Sequence, residues 1–469
     1  MFKYLPVLTF LFIVTISGAQ NPIQISVSNT TLAATDSVLP FWFAANQHGK
    51  IQLKNSFLNI SEIIVEKAYL NNSKSGLGTT LGGDFIAAFG NENYYQVNRA
   101  YAGISFKGWE LKGGMFFDEV KYAGLSTSNG NITRSENARP IPMIRFSTLN
   151  FKPVPFVQNW LSFKSEYDEG FLNDERYVDG AHLHHKSLYF KIHTSALWNF
   201  ELGFEHYAMW GGTSQNEDIG DLPEGWNAYW HYVFALPGNE DFLLTDQKNN
   251  SGNQLGTYQL KYERILSKIK MEIYVSHPWE DNSGLNWHNW PDNLLGVHFD
   301  LQNKNSLVTD VVYEFTNSRQ QGVKDSIYYF DSNSEKWKMR EFDNYYNHSI
   351  YRSGFTYQQQ MMSSPLFFPV AESNGISMGI KSNRFFSHHI GAKGNLSEKI
   401  KWKGFLTYVQ HSGTYSKPYT TNQKQLSGLF EIQYFNQNLP VEIRLSAAAD
   451  ANNVTGNNLG FNFSVLKTW

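Results

Sequence analysis

Tryptophans and carboxylates crowd one stretch of this sequence. Seven of the 13 tryptophans lie between residues 198 and 290: Trp198, Trp210, Trp226, Trp230, Trp279, Trp287 and Trp290. Trp226 and Trp230 share a polar stretch with Glu217, Asp218, Asp221, Glu224, Glu240 and Asp241, while Glu280, Asp281 and Asp292 flank the later group. An indole offers a broad flat face and one N–H donor. Such faces stack on the C–H faces of sugar rings, and neighbouring carboxylates accept hydrogen bonds from the hydroxyls. That pattern makes Trp210, Trp226, Trp230, Trp279, Glu280, Asp281, Trp287 and Trp290 candidates for carbohydrate contact. The same residue type also builds aromatic girdles at membrane interfaces. Trp109, Trp160 and Trp198, set in alternating segments, fit the girdle or a lipid face. Trp226, Trp230, Trp287 and Trp290, in loop-like context, fit a glycan surface.

Other chemistry is harder to support. His182 and His184 would share one strand face, with His193 or His206 as a third metal ligand. Imidazoles facing a polar interior need no metal, so none is expected here or at His388-His389. Glu280-Asp281 and Asp292 could be read as glycosidase carboxylates, which must stand roughly 5–9.5 Å apart across a bond. Adjacent strand residues point to opposite faces, and Asp-Asn-Ser-Gly reads as a turn, so a loop or sugar-binding role is preferred. No Gly-x-Ser-x-Gly elbow is present. With no cysteine, thiolate chemistry, disulfides and iron–sulfur clusters are excluded. No catalytic residue, metal or cofactor is therefore predicted. Arg139, Arg145, Lys164, Glu166, Arg176, Arg352 and Arg384 are expected to form ion-pair networks in an interior.

Strict alternation of apolar and polar residues identifies the elements that must position these groups. Residues 198–205 (WNFELGFE), 271–275 (MEIYV), 430–434 (FEIQY) and 441–445 (VEIRL) are examples. Several runs reach the roughly 9–11 residues of a tilted membrane-crossing strand. Residues 93–107 and 108–118 pair about Lys107-Gly108, and 425–436 pairs with 439–450. Long polar stretches at 121–139, 213–255, 318–345, 363–382 and 412–424 alternate with tight turns. By inspection, roughly sixteen strands can be marked. The chain ends in LGFNFSVLKTW (459–469), whose aromatic last residue resembles a terminal-strand assembly signal. Residues 1–19 read as a signal peptide, with cleavage near Gln20. The reading is an all-β, closed antiparallel transmembrane barrel over 77–469, with short periplasmic turns and long extracellular loops. Residues 20–76 alternate poorly; they predict a periplasmic cap, a plug element or the first strands, with helical character at 58–70. The 17% charged residues and net charge of -3 argue against nucleic acid as a partner.

Ordered strings along the chain resemble the capsule assembly Wzi family. They include LPFWFAANQHG (39–49), NARPIPMIRFST (137–148), WLSFKSEYDEGFLNDERYVDGAHLHHKSLYFKI (160–192) and HYAMWGGTS (206–214). GNQLGTYQLKYE (252–263), WEDNSGLNWHNWPDNLLGV (279–297), DNYYNHSIYRSGFTYQ (343–358) and NRFFSHHIGAKG (383–394) continue the series. The resemblance implies a monomeric outer-membrane barrel of about eighteen strands. It implies attachment or organisation of capsular or exopolysaccharide by a membrane-embedded lectin with no catalysis. Polysaccharide, outer-membrane lipid and, during biogenesis, the barrel-assembly machinery are the expected partners. Better-studied members carry a periplasmic helical bundle, for which 20–76 looks too short. The alternatives are a porin-like channel for sugars or other nutrients, an enzyme modifying glycan or lipid, and a secreted soluble β-protein.

Overall fold

Alternating side chains leave a strand with one face for lipid and one for the interior, and here that pattern closes on itself. The structure, a computed structural model, describes residues 23–67, 76–157, 160–248, 250–280, 282–322, 328–331, 336–339, 343–436, 439–452 and 456–469. Eighteen antiparallel strands form one ring. They are β1 (Gln24–Ala34), β2 (Phe57–Lys67), β3 (Leu77–Phe89), β4 (Tyr94–Phe106), β5 (Trp109–Met115) and β6 (Met143–Thr148, resumed at Lys152–Pro153). Next come β7 (Leu161–Phe171), β8 (His182–His193), β9 (Trp198–Trp210), β10 (Asn253–Ile265), β11 (Lys270–Trp279) and β12 (Asn293–Asp300). The last six are β13 (Asp310–Asn317), β14 (Phe385–Ser397), β15 (Ile400–Gly413), β16 (Pro418–Asn436), β17 (Leu439–Asn452) and β18 (Asn458–Thr468). Each pairs with its chain neighbour, and β18 closes the ring on β1, from Ser26 opposite Thr468 to Ala34 opposite Gly460. Closure satisfies every edge, as a bilayer demands.

The two ends differ. At one, β4 turns into β5 through Lys107 and Gly108, both with positive φ (49° and 80°), a geometry glycine adopts freely and which tight hairpins require. At the other lie the connections 35–56, 116–142, 211–252, 280–292 and 318–384. Long loops at one end only mark the extracellular side. Outward residues such as Leu202, Leu260, Ile273, Ile390, Leu406, Phe430 and Phe463 are apolar and exposed, as a lipid-facing belt must be. Trp109 stacks on Phe146 at 5.1 Å and Trp198 meets Phe200 and Tyr262. Both lie at the short-turn end, where a girdle is expected.

Three sequence expectations change. Residues 58–67, read from the sequence as helical in character, lie in β2. Its inward Leu58 and Ile60 pack on the 35–56 connection while its outward Phe57 and Ile63 stay exposed, and polar residues sit on both faces too, Glu62 inside and Asn59 and Ser61 outside, so the alternation is lost. Residues 68–70 of that expectation lie outside the described residues. Residues 412–424 are no long loop; β16 starts at Pro418 and runs 19 residues, polar on both faces above the belt. The ring has the eighteen strands that the resemblance implies, two more than the roughly sixteen marked by inspection, and it begins before residue 77, since β1 and β2 belong to it.

The lumen is occupied. The 35–56 connection carries a short helix, α1 (Phe41–Ala44), whose Trp42 Nε1 donates to Thr407 Oγ1 on β15 at 3.1 Å. The 116–142 connection crosses from β9 to β13. Asn131 Nδ2 donates to Glu205 at 2.8 Å, and Thr127 donates to Glu314 from its N–H at 2.8 Å and its hydroxyl at 2.6 Å. Residues from 343 on pack above it, with Tyr345, Tyr346, Phe355 and Phe367 buried against Ile132 and Ile141. Below, a cavity of about 510 Å³ is lined by charges of both signs, Lys112, Lys164, Lys261, Glu166, Glu201 and Glu272 among them.

Candidate functional site

Strand parity decides where the candidate residues point. On β9, Glu205, Tyr207 and Met209 face the lumen, so His206, Ala208 and Trp210 face outward. All three outward residues are nonetheless screened from solvent. The 211–252 connection folds back over the outside of the wall and covers them. It carries α2 (Gly225–Val233) and α3 (Leu244–Lys248). Ala228 and Tyr232 of α2 pack with Phe242 on Ala208, and Tyr232 stacks on Trp210 at 5.6 Å. Two polar outward groups beneath the helix, Glu169 and Lys186, are engaged by it. The Tyr229 hydroxyl donates to Glu169 at 2.5 Å, His184 Nδ1 lies 2.6 Å from the same oxygen, and Lys186 donates to the Val233 carbonyl.

A nine-residue helix packed by one stripe leaves the opposite stripe free. Trp226, Trp230 and Phe234 occupy it at i, i+4, i+8. Their rings form a ladder, Trp226 to Trp230 at 6.3 Å and Trp230 to Phe234 at 5.6 Å, nearly parallel. Trp226 is 78% exposed and Trp230 44%. Exposed Glu217, Asp218, Glu240 and Asp241 share the connection.

The 280–292 connection does the same one strand pair further round. Trp287 stacks on His277 at 4.0 Å and on Tyr258 at 5.4 Å, both outward residues. Trp287 is 43% exposed and Trp290 54%. The two groups therefore lie along one arc of the outer wall, β7 to β12, at the extracellular end.

Not every candidate joins them. Trp279 is only 3% exposed, sandwiched against Phe204 and His206, each at 5.6 Å. Trp210 is half-buried under α2, stacked on His182 at 4.4 Å. The Glu280 carboxylate accepts the Tyr346 N–H, and Asp281 lies outside the described residues. Asp292 is buried and accepts from Gln320 N, Gln321 N and Asn317 Nδ2 at 2.7–2.9 Å. Burial pushes its carboxyl up to about 7. Glu280 and Asp292 thus tie the 280–292 connection to the plug.

The histidine run divides by parity too. His185 faces the lumen, with Nδ1 2.9 Å from Asp168, while His182 and His184 face outward. Among the described residues, one group has metal-ligand spacing: Glu166, Asp168 and His185. Its acids are engaged by arginines. Arg145 binds Asp168 at 2.8 and 2.9 Å and Asp118 at 2.9 Å, and Arg134 binds Asp118 at 2.6 Å. Burial opposes the charge on Asp118, but Arg134 and Arg145 outweigh it and hold its carboxyl below the usual range. Of the predicted interior charges, Arg145, Lys164 and Glu166 line the cavity and Arg176 pairs with buried Asp174 at 3.0 Å. Arg139 donates to the Val97 carbonyl, and Arg352 stacks on Tyr177. Arg139, Arg352 and Arg384 depart from the expected ion pairing: none meets a carboxylate among the described residues, Arg352 is exposed, and Arg384 lies at the outer rim against Tyr415.

A family model described as capsule assembly protein Wzi matches residues 21–387. The chain belongs to this Wzi family. The fold agrees with that of Wzi from Escherichia coli, an outer-membrane protein involved in group 1 capsule assembly and a carbohydrate-binding β-barrel. The two are 14% identical with a TM-score of 0.58, over 94% of this chain and 83% of that one. OpdQ and OccK5 (OpdH) of Pseudomonas aeruginosa are also similar, at 9% and 10% identity and TM-scores of 0.47 and 0.48. They match 96% of this chain and 99% and 97% of their own. No curated protein matches at the sequence level. Membership in the Wzi family, with the closed barrel, places the protein in the outer membrane.

Proposed function

We propose that this Wzi-family barrel binds capsular or exopolysaccharide and holds it at the cell surface, by contact and not by catalysis. The observation that carries this reading is the row of exposed indoles, Trp226, Trp230, Trp287 and Trp290, which the outer wall supports from behind. A stacked ring backed by packed protein is a rigid face, and rigid faces lose little entropy when a sugar settles on them. Exposed carboxylates on the 211–252 connection, Glu217, Asp218, Glu240 and Asp241, supply acceptors for sugar hydroxyls. The plugged lumen favours retention over passage, since residues 35–56, 116–142 and 343–384 fill the path a porin leaves open.

A deletion strain scored for cell-bound against shed polysaccharide tests the role. Shedding with normal synthesis is the expected result. The quadruple alanine variant of the four tryptophans, shown to assemble by heat-modifiable gel mobility, is expected to shed likewise. Unchanged retention by that variant would remove these residues from the site.

A further inference from the structure

Two arginines at the outer rim meet no carboxylate among the described residues. Arg319 follows β13 and Arg384 precedes β14. Phe385 is buried in the core and Phe386 faces outward, so Arg384, continuing the ladder through Ser412, stands on the outward side. Arg319 donates from Nε to the outward Asn317 Oδ1 at 2.7 Å and lies over the Phe386 ring at 4.9 Å. The Arg384 guanidinium lies 3.8 Å from the Tyr415 ring centre, and its Nε reaches the Arg319 carbonyl at 3.4 Å. Tyr415 closes the set by donating to that same carbonyl at 3.0 Å. Neither guanidinium meets a carboxylate among the described residues, whereas Arg134, Arg145 and Arg176 all do.

Two neighbouring guanidiniums that meet no carboxylate among the described residues repel one another, and an anion between them relieves that repulsion. Stacking on aromatic rings fixes each planar fork and leaves its N–H edges free for a bidentate acceptor. Below the pair, the outward face continues through Phe386, half-buried, and exposed His388, bonded to the Tyr313 hydroxyl, to Ile390 and Leu406, exposed members of the lipid-facing belt. The arginines therefore stand where the hydrocarbon ends and the headgroups of the outer leaflet begin.

We propose that Arg319 and Arg384 bind a phosphate group of the outer-leaflet glycolipid, the phosphorylated lipid A portion of lipopolysaccharide. The site lies at the rim ends of β13–β15, beside the Pro291–Asp292 end of the tryptophan arc, which Asn317 and Gln320 hold, and it shares no residue with that arc. The pair would anchor one ordered lipid against the wall and fix the height of the rim in the membrane.

The test uses the full-length barrel in detergent, titrated with lipid A in phosphorylated and enzymatically dephosphorylated forms. The native protein is expected to bind the phosphorylated form tighter by roughly tenfold or more, the range for charge-assisted hydrogen bonds. The double variant Arg319→Gln/Arg384→Gln is expected to lose that preference, and Arg352→Gln, on the far side of the plug, to keep it. Equal binding of both lipid forms by the native barrel overturns the proposal and needs no variant. So does a preference that survives the double substitution. An acidic probe, polygalacturonate, separates the sources: binding of it through these arginines in place of lipid A would assign them to polysaccharide and overturn the lipid assignment. Loss of polysaccharide retention by the tryptophan variant leaves the lipid A titration unaffected.

Discussion

Arg145 and Asp168 face one another across β6 and β7, joined by two hydrogen bonds, Nε to Oδ1 at 2.8 Å and Nη2 to Oδ2 at 2.9 Å. The same guanidinium reaches Asp118 at 2.9 Å, and Asp118 in turn holds Arg134 of the plug. One buried pair thus couples wall to plug.

Breaking it by one partner strands a buried charge. Arg145→Met is expected to cost about 3–5 kcal/mol, the usual penalty for an orphaned buried ion. Urea unfolding in lipid vesicles measures it. A midpoint equal to the native one would show that the pair carries no net stability.

Trp279 and Trp226 should behave oppositely. Trp279 fills the space between Phe204, His206 and Gly256, so Trp279→Ala opens a cavity worth about 3–5 kcal/mol. Trp226→Ala removes an exposed ring and should stay within about 0.5 kcal/mol of native stability. The same unfolding assay compares the two, and a destabilised Trp226→Ala would place that ring in the packing.

Glu314 clasps the plug to β13, accepting from Thr127 N, Thr127 Oγ1 and the Tyr274 hydroxyl at 2.6–2.8 Å. In Glu314→Gln the new amide meets donors with donors. Planar-bilayer recordings are expected to show little stable current for the native barrel and frequent brief openings for the variant. Equally quiet traces would mean that the other anchors suffice.

His348 gives the plug an acid sensitivity. Its Nδ1 accepts from the N–H of Ile350 and of Tyr351, each at 3.2 Å, so it must be neutral. Burial lowers its pKa from 6.5 to about 4. The unfolded segment then binds more protons between those values, and stability falls as the pH drops from about 6.5 to about 4. Hydrogen exchange of residues 344–354 should quicken over that window. His348→Asn, whose side-chain oxygen still accepts and does not titrate, should flatten this part of the profile. A window that persists in His348→Asn would place the titration elsewhere.

Much of this was legible in the chain because a lipid-facing strand cannot disguise its period. The alternation of residues 198–205 and 459–469 states which side is wet without knowledge of the partner strand. It fails at β2, where both faces mix apolar and polar residues, the inward apolar ones packed on the plug. It fails again at β16, whose upper half meets water on both sides. For the site, the types were readable and the side of the wall was not. Met271, Ile273 and Val275 share parity with Trp279, a signal that this indole faces outward. Nothing in the period of a strand tells whether a loop forty residues long folds into the mouth or back over the rim. The clasp of Tyr229 on Glu169 and His184 depends on that choice, and so escaped the sequence. That Arg319 meets no carboxylate among the described residues is likewise a property of what surrounds it.

The seam between β1 and β18 sets the order of events in making the molecule. Ser26 and Thr30 share hydroxyl hydrogen bonds with Thr468 and Ser464, each at 2.9 Å. Residues 26–34 thus wait for residues 460–468, made more than four hundred positions later. Until Phe461 and Phe463 arrive, β1 keeps a bare edge, and every hairpin between them belongs to an open sheet. Maturation is therefore all or nothing: a chain stopped a dozen residues short has lost not one-eighteenth of a barrel but its circumference.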